Sequence, residues 1–185
     1  MSFLILHGLY GSGPGHWQTW LAGRLRERGS LVSYPELPEP DAPRLDRWLE
    51  ALDSELALQR DGLVVLCHSL ACVLWLQYAH RGGAQRAERV LLVAPPSPSV
   101  KLPGAQGFFP LSVEPEEAAR AAGSTRIVAT DNDPYCPEGA EQLYGEPLAL
   151  PVCLVRGGGH INTDAGYGPW PEVERWALAE QRAKH

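Results

Sequence analysis

The sequence lacks the features that mark membrane, secreted and nucleic-acid-binding proteins. No apolar run among its 185 residues is long enough to span a bilayer. The first residues have neither the basic segment nor the cleavage site of a signal peptide, and they are typical of an opening strand. The formal net charge is -6, which predicts no basic surface for nucleic acid or for an anionic membrane. We therefore expect a cytoplasmic protein that binds neither.

Metal-binding and redox motifs are also missing. The chain has 4 cysteines but no Cys-x-x-Cys pair, and we expect the thiols to be reduced. Histidines are present in several candidate loops (His7, His16, His68 and His160). No His-Glu-x-x-His motif or paired-carboxylate spacing accompanies them, so the sequence predicts no metal and no cofactor.

The pattern that is present is an alternation of short apolar runs with longer amphipathic segments. Hydrophobic residues make up 44% of the chain and charged residues 21%, as in an ordinary globular protein. The length suits a single domain over residues 1–185. The pattern predicts strands at residues 3–6, 31–34, 63–67, 90–94, 126–129 and 152–155, and helices at 16–28, 43–58, 69–79, 138–144 and 171–181.

Strands that alternate with helices predict right-handed crossovers and a parallel sheet. The expected fold is therefore an α/β class, three-layer α/β/α sandwich with a mostly parallel sheet. Residues 95–113 are rich in proline, serine and glycine and are predicted to form a loop, too short for a helical cap domain. Active sites in such sheets lie at the carboxyl ends of the strands, where the sharpest motifs of this sequence fall.

Ser69 is the candidate nucleophile. It follows the third apolar run and opens a helix, within the motif Cys67-His68-Ser69-Leu70-Ala71. The nucleophile elbow of α/β-hydrolases is written G-x-S-x-G, and here the two glycines are replaced by other small residues. A serine at this position could also be an ordinary helix N-cap. The strand–turn–helix context favours the nucleophile.

His160 is the candidate base, because three consecutive glycines precede it and can carry its imidazole toward the site. An incidental histidine in a glycine-rich surface loop is the alternative. Asp131 and Asp133 are the candidate acids, in a stretch that could also be an ordinary turn. Asp133 precedes Pro134, which favours extended geometry and a carboxylate in the loop beyond the strand. Asp131 is expected to order the turn through local hydrogen bonds.

The glycine-rich residues 7–15 follow the first predicted strand, where α/β-hydrolases place an oxyanion-binding loop. The backbone N–H groups of Leu9 and Leu70 are the predicted oxyanion donors. A phosphate-binding loop is the alternative, but the segment lacks both Gly-Lys-Ser/Thr and G-x-G-x-x-G. Tyr10 and His68 are candidate residues of the substrate pocket.

Phe108 and Phe109 lie in the predicted loop after the fourth strand, which hangs over the site in this fold. They either line an acyl pocket or anchor the loop, and the sequence leaves both alternatives open.

Four blocks of the sequence carry a resemblance to a known family. They are His7-Gly8-Leu9-Tyr10-Gly11-Ser12 with His16-Trp17, Ser69-Leu70-Ala71, Asn132-Asp133-Pro134-Tyr135, and Gly159-His160-Ile161-Asn162 with Gly168-Pro169-Trp170-Pro171. With these blocks the chain resembles the YdeN-like family of small bacterial α/β-hydrolases, relatives of a retinoblastoma-binding serine hydrolase of animals. The resemblance implies Ser69 as nucleophile, Asp133 as triad acid and His160 as base.

The expected function is hydrolysis of an ester, thioester or amide through an acyl-serine intermediate. Without a cap domain, the expected partner is a small soluble acyl substrate. The alternative is a hydrolase fold used as a protein-binding module with little or no turnover, since fold does not settle function. A protein partner is not indicated by any motif.

Overall fold

A computed structural model of the chain describes residues 1–59 and 62–179. It contains a sheet of six parallel strands in the order β2-β1-β3-β4-β5-β6. The strands are β1 (Ser2–Leu6), β2 (Leu31–Ser33), β3 (Leu63–His68), β4 (Ala87–Val93), β5 (Ala122–Thr130) and β6 (Val152–Val155). The α-helices are α1 (Trp17–Glu27), α2 (Leu45–Ala57), α3 (Leu70–His80), α4 (Pro115–Ala121) and α5 (Pro171–Leu178).

Helices cover both faces of this sheet. Alternate side chains of β1 point to opposite faces, so Leu4 packs with Trp48 of α2 while Phe3 packs with Trp17 of α1. The first core also takes in α3 and α4, and the second takes in α5. Every residue of β3 is buried, because a central parallel strand is covered on both faces. The predicted three-layer α/β/α sandwich is confirmed.

Helix α4 was not predicted, and β5 is longer than predicted. The helix begins with Pro115 in its first turn and is capped by a reciprocal pair of bonds between Glu114 and Glu117. Strand β5 begins at Ala122 rather than at residue 126. Its first residues are small and polar, and their pairing with β4 rather than their own hydrophobicity makes them a strand.

Two further elements differ from the expectation. The predicted helix at 138–144 is a short π-helical turn, Glu141–Gly145. The last helix ends at Leu178, and residues 180 and 181 of the predicted helix lie outside the described residues. Between β4 and α4 the chain forms a loop with one 3-10 turn, Ala105–Phe108, and no cap domain.

The four cysteines are free thiols, and all but Cys153 are buried. Among the described residues, no helix has the length and apolarity needed to cross a membrane.

Candidate active site

Ser69 sits in a strained turn between β3 and α3. Its backbone has φ 55° and ψ -123°, a conformation that costs a non-glycine residue about 1–3 kcal/mol. The Ser69 N–H donates to the carbonyl of Val93 on the neighbouring strand (2.9 Å), which anchors the turn to the sheet. The side chain makes no capping hydrogen bond to α3. Ser69 thus occupies the N-cap position, but its side chain does not cap the helix.

The Ser69 hydroxyl instead begins a chain of hydrogen bonds. Ser69 Oγ lies 2.9 Å from His160 Nε2, and His160 Nδ1 lies 3.0 Å and 2.9 Å from the two carboxylate oxygens of Asp133. A carboxylate only accepts, so Nδ1 carries the proton and Nε2 is left to accept from the serine hydroxyl. All three residues are less than 9% exposed. The chain has the order and orientation of a Ser-His-Asp triad.

A second set of hydrogen bonds ties the loop that carries the acid to the loop that carries the base. Asp131 Oδ1 accepts from the N–H of Gly157 (2.7 Å), and Asn132 Oδ1 accepts from the N–H of Gly159 (2.8 Å). Thr130 Oγ1 donates to the carbonyl of Gly159 (2.5 Å). The two aspartates thus have different partners. The structure directs Asp131 to the backbone of the glycine-rich loop, beyond the local turn that the sequence predicted for it.

The loop after β1 packs directly on the turn at Ser69. A Cβ placed on Gly8 would lie 2.7 Å from Ser69 Cβ and 3.0 Å from the carbonyl oxygen of His68, so only glycine fits. The amides of Leu9 and Leu70 follow these two touching residues. Neither amide donates a hydrogen bond to any group of the described residues. The structure therefore brings together the two predicted oxyanion donors, with both N–H groups unused.

A cleft of about 300 Å³ opens over Ser69 and His160. Its remaining described lining residues are Leu9, Tyr10, Gly11, Ser12, Gly13, His16, His68, Leu102, Tyr135, Asn162, Thr163 and Asp164. Tyr10 and His68, both predicted pocket residues, are in this lining. The described lining contains no lysine or arginine, and Asp164 contributes its one carboxylate.

Phe108 and Phe109 do not line the cleft. Of the two alternatives left open by the sequence, the acyl pocket is therefore wrong. Phe108 is fully buried in the core against Trp48, with ring centroids 5.2 Å apart. Its carbonyl accepts from Gln77 Nε2 (2.7 Å). Phe109 packs on the same core and is half-buried. Both side chains anchor the loop, because core packing was available to them directly beneath it.

Tyr135 and His16 were not among the predicted site residues. The ring of Tyr135 meets the His160 ring edge to face, with centroids 4.5 Å apart, and the Tyr135 N–H donates to Asp133 Oδ1 (2.9 Å). Tyr135 therefore contacts both the acid and the base. Both residues could have been predicted, because they stand in two of the sequence blocks that carry the family resemblance.

Burial favours the neutral form of three histidines at the carboxyl end of the sheet. Burial lowers the pKa of His7, lowers that of His16 to about 4, and lowers that of His68 well below its usual value. His7 is fully used in the structure: Nδ1 donates to the carbonyl of Gly8 (2.8 Å) and Nε2 accepts from the N–H of Leu37 (2.8 Å). In the described part of the chain, no three metal-ligating side chains are grouped to hold an ion.

Fold and site together define a class. A parallel sheet with helices on both faces, a serine in a strained turn after a central strand, and the chain order Ser, Asp, His are the features of an α/β-hydrolase. Residues 3–178 match the family described as "Serine hydrolase", and the chain belongs to this family.

Two relatives illustrate the similarity. The chain is 25% identical to YdeN of Bacillus subtilis (strain 168) over 171 residues, which cover 91% of this chain and 90% of YdeN. The crystal structure of that protein superposes with a TM-score of 0.82 at 24% identity, over 95% of each chain. A YdeN-like hydrolase from Pectobacterium atrosepticum superposes with a TM-score of 0.71 at 25% identity, over 96% of this chain and 89% of that one.

Proposed function

We propose that this protein hydrolyses an ester, thioester or amide of a small soluble molecule through an acyl-serine intermediate. The observation that carries the proposal is the unbroken chain of hydrogen bonds from Ser69 Oγ through His160 to Asp133, each step 2.9–3.0 Å long. A nucleophile within hydrogen-bond reach of a base, itself oriented by a third group, is the arrangement that activates a serine.

In the first half of the proposed reaction, Ser69 Oγ attacks the carbonyl carbon of the substrate while its proton passes to His160 Nε2. Asp133 accepts from Nδ1–H throughout and stabilises the imidazolium that forms. The carbonyl oxygen becomes an oxyanion, and the amides of Leu9 and Leu70 donate to it. As the tetrahedral intermediate collapses, the bond to the leaving group breaks and the leaving group takes the proton from Nε2.

In the second half, water replaces the leaving group. His160 Nε2 removes a proton from the water as its oxygen attacks the acyl carbon. The second tetrahedral intermediate then collapses, Ser69 regains its proton from Nε2, and the carboxylic acid product leaves.

The shape of the cleft supports a small substrate. A volume of about 300 Å³ is at the lower end of the range for ligand pockets. The loop between β4 and α4 supplies no cap domain that would enlarge the cleft or close over it. We therefore propose short-chain, soluble acyl compounds as substrates. Turnover confined to lipid droplets, with none of soluble short-chain esters, would contradict this assignment.

A fluorophosphonate probe tests the mechanism, because it reacts covalently with activated serines. We expect one equivalent to add to the wild-type protein, at Ser69 by peptide mass spectrometry, and none to add to Ser69→Ala. Ser12→Ala is the matched control: Ser12 also lines the cleft, but its hydroxyl donates to Gln18 Oε1 (2.8 Å) and has no base beside it. That variant should be labelled like the wild type. A folded wild-type protein that stays unlabelled would instead favour a binding module.

A further inference from the structure

His16 presents a hydrogen-bond donor to the cleft. The residue caps helix α1, and its Nδ1 accepts from the N–H of Gln18 (3.2 Å). Nδ1 must therefore be unprotonated, and the proton of the neutral ring is on Nε2. His16 as a whole residue is 5% exposed and lines the cleft, and Nε2 has no hydrogen-bond partner among the described residues.

His68 presents the complementary acceptor. Its Nε2 lies 3.0 Å from the backbone carbonyl of His160 and must donate to it, which leaves Nδ1 bare. His68 as a whole residue is also 5% exposed and lines the cleft. The only fully enclosed side-chain nitrogen or oxygen without a partner in the described residues is Nε of Arg89, on another part of the sheet. The unused nitrogens of His16 and His68 are therefore open to the cleft.

The two rings lie side by side. Their centroids are 4.8 Å apart, at an interplanar angle of 61°. His68 is next to His160 in turn, with centroids 5.0 Å apart, so the row His160, His68, His16 leads away from the base. A leaving group must reach His160 Nε2 to take its proton and therefore lies at the His160 end of this row. We assign the acyl chain to the other end, at His68 and His16.

We propose that His16 and His68 form a fixed, uncharged donor–acceptor pair that binds a primary amide group in the acyl part of the substrate. The carbonyl of a primary amide and its syn N–H point in the same direction, so the carbonyl can accept from His16 Nε2–H while this N–H donates to His68 Nδ1 on the neighbouring ring. The proposal rests on the acyl-serine function above and narrows its substrate class to esters whose acyl part ends in a primary amide. An anionic acyl chain is disfavoured, because the described lining offers no cation and His68 Nδ1 offers it a lone pair.

A series of ethyl esters of equal length tests the pair. Ethyl pentanoate has no polar group in its acyl chain, ethyl levulinate adds a carbonyl, and ethyl succinamate adds both the carbonyl and a syn N–H. Monoethyl succinate places a carboxylate in the same region. We expect kcat/KM to rise about tenfold from pentanoate to succinamate, with levulinate between them, and to be lowest for the succinate monoester.

Two substitutions of His16 separate its donor from its structural role. His16→Asn keeps an oxygen that caps α1 but is too short to present an N–H at the position of Nε2. His16→Gln weakens the cap but carries an N–H at that distance. We expect His16→Asn to abolish the preference for levulinate and succinamate over pentanoate, at a melting temperature near the wild type. His16→Gln should retain the preference at a lower melting temperature.

The outcomes distinguish this proposal from the one it rests on. Equal kcat/KM for pentanoate and succinamate in the wild type, or the same preference in His16→Asn, would overturn the pair and leave the acyl-serine mechanism intact. If the wild type hydrolysed none of the esters and also stayed unlabelled by the fluorophosphonate, the mechanism would be overturned. Where no ester is hydrolysed, the pair is tested by the Kd of ethyl succinamate and of ethyl pentanoate for Ser69→Ala, with and without His16→Asn. Tighter binding of the succinamate that depends on His16 supports the pair, and equal binding refutes it.

Discussion

The two ends of the sheet bury polar side chains for different purposes. At the carboxyl end, Ser69, His160 and Asp133 bond to one another and open onto a cleft. At the amino end, the buried Arg89 of β4 donates to two backbone carbonyls near the end of helix α5 (2.8 Å to Trp176 and 3.0 Å to Ala177) and contacts the sulfur of Met1 (4.0 Å). A side chain that supplies hydrogen bonds to backbone groups holds the fold together. Side chains that hydrogen-bond to one another beside a cleft are free to exchange protons with a substrate.

The backbone shows the same contrast. Among the described residues, five of the six non-glycine residues with positive φ follow strands at the carboxyl end, and the sixth, Ala149, precedes β6 at the amino end; the five are Tyr10, Glu39, Ser69, Ala94 and Ile161. The connections at the amino end that need positive φ, before β2, β3 and β4, use Gly29, Gly62 and Gly82 instead. Glycine adopts this conformation without strain, whereas it raises the conformational energy of other residues by about 1–3 kcal/mol. Strain is thus concentrated where the site is, and substitutions at the two ends should have separable effects on activity and stability.

The largest effect on activity is expected for Asp133→Asn. The amide cannot stabilise the imidazolium and can present an N–H to Nδ1, which would place the proton of His160 on the wrong nitrogen. We expect kcat to fall roughly 10⁴-fold while the free energy of unfolding changes by less than about 1 kcal/mol. Ester turnover and urea denaturation measure the two quantities. A variant that lost stability and activity in parallel would show that the carboxyl end also holds the fold.

Gly8→Ala should have the next largest effect, because the added methyl would sit 2.7 Å from Ser69 Cβ and push the loop of Leu9 away from the turn. Losing one oxyanion donor costs roughly 10²–10³ in kcat, and we expect a loss in that range. Gly13→Ala is the matched control in the same loop, since a Cβ there meets no atom within 4 Å. Equal activities of the two variants would remove Leu9 from the oxyanion site.

These effects trace back to features that the sequence does predict. The continuous apolar run of β3 predicts a central parallel strand, and a serine immediately after it predicts the turn. The glycines before His160 predict its loop. Each of these signals is local, because a few neighbouring residues determine burial, backbone conformation and chain direction.

The contacts that the sequence does not predict join distant residues. Nothing near Asp131 or Asn132 indicates that their side chains bond to Gly157 and Gly159 on another strand's loop. Helix α4 was missed because its buried residues are alanines, which give a weak hydrophobic period. The two alternatives for Phe108 stayed open because local sequence does not say which side of a loop faces the core.

The histidines of the carboxyl end should make stability depend on pH. The pKa of His16 is lowered to about 4 in the folded protein, by burial first and by His160 and His7 second, from 6.5 when exposed. Below pH 6.5 the unfolded chain binds a proton that the folded chain does not. Stability is therefore fully present above pH 6.5 and is lost as the pH falls toward 4, by on the order of 3 kcal/mol from His16.

Urea denaturation of the wild type and of His16→Asn between pH 7 and pH 4 measures this loss. Carboxylates titrate in both proteins, so the difference between their free energies of unfolding isolates the contribution of His16. The wild type should lose more stability than the variant over this interval. Parallel curves for the two proteins would show that His16 is charged in the folded state.

At the amino end, Arg89→Met should lower the free energy of unfolding by about 2 kcal/mol, because two carbonyls lose charged donors while the packing volume is kept. Activity should stay within twofold of the wild type. Arg175→Met on α5 is the control: Arg175 is exposed and pairs with the exposed Glu172, so a change of at most about 0.5 kcal/mol is expected. A large loss of activity in Arg89→Met would show that the two ends are coupled.

The smallest effect is expected for Asp131→Asn, which decides between the two aspartates. Its side-chain oxygen can still accept from the Gly157 N–H, so we expect turnover within about threefold of the wild type. Asp131→Ala removes that bond, and should cost about 1 kcal/mol of stability and up to about tenfold in kcat as the loop of His160 loosens. These two results together would show that turnover depends on the hydrogen bond of Asp131 and not on its charge. If Asp131→Asn abolished turnover at unchanged stability while Asp133→Asn remained active, Asp131 would be the acid, and the polar contacts at the carboxyl end would have to be reassigned.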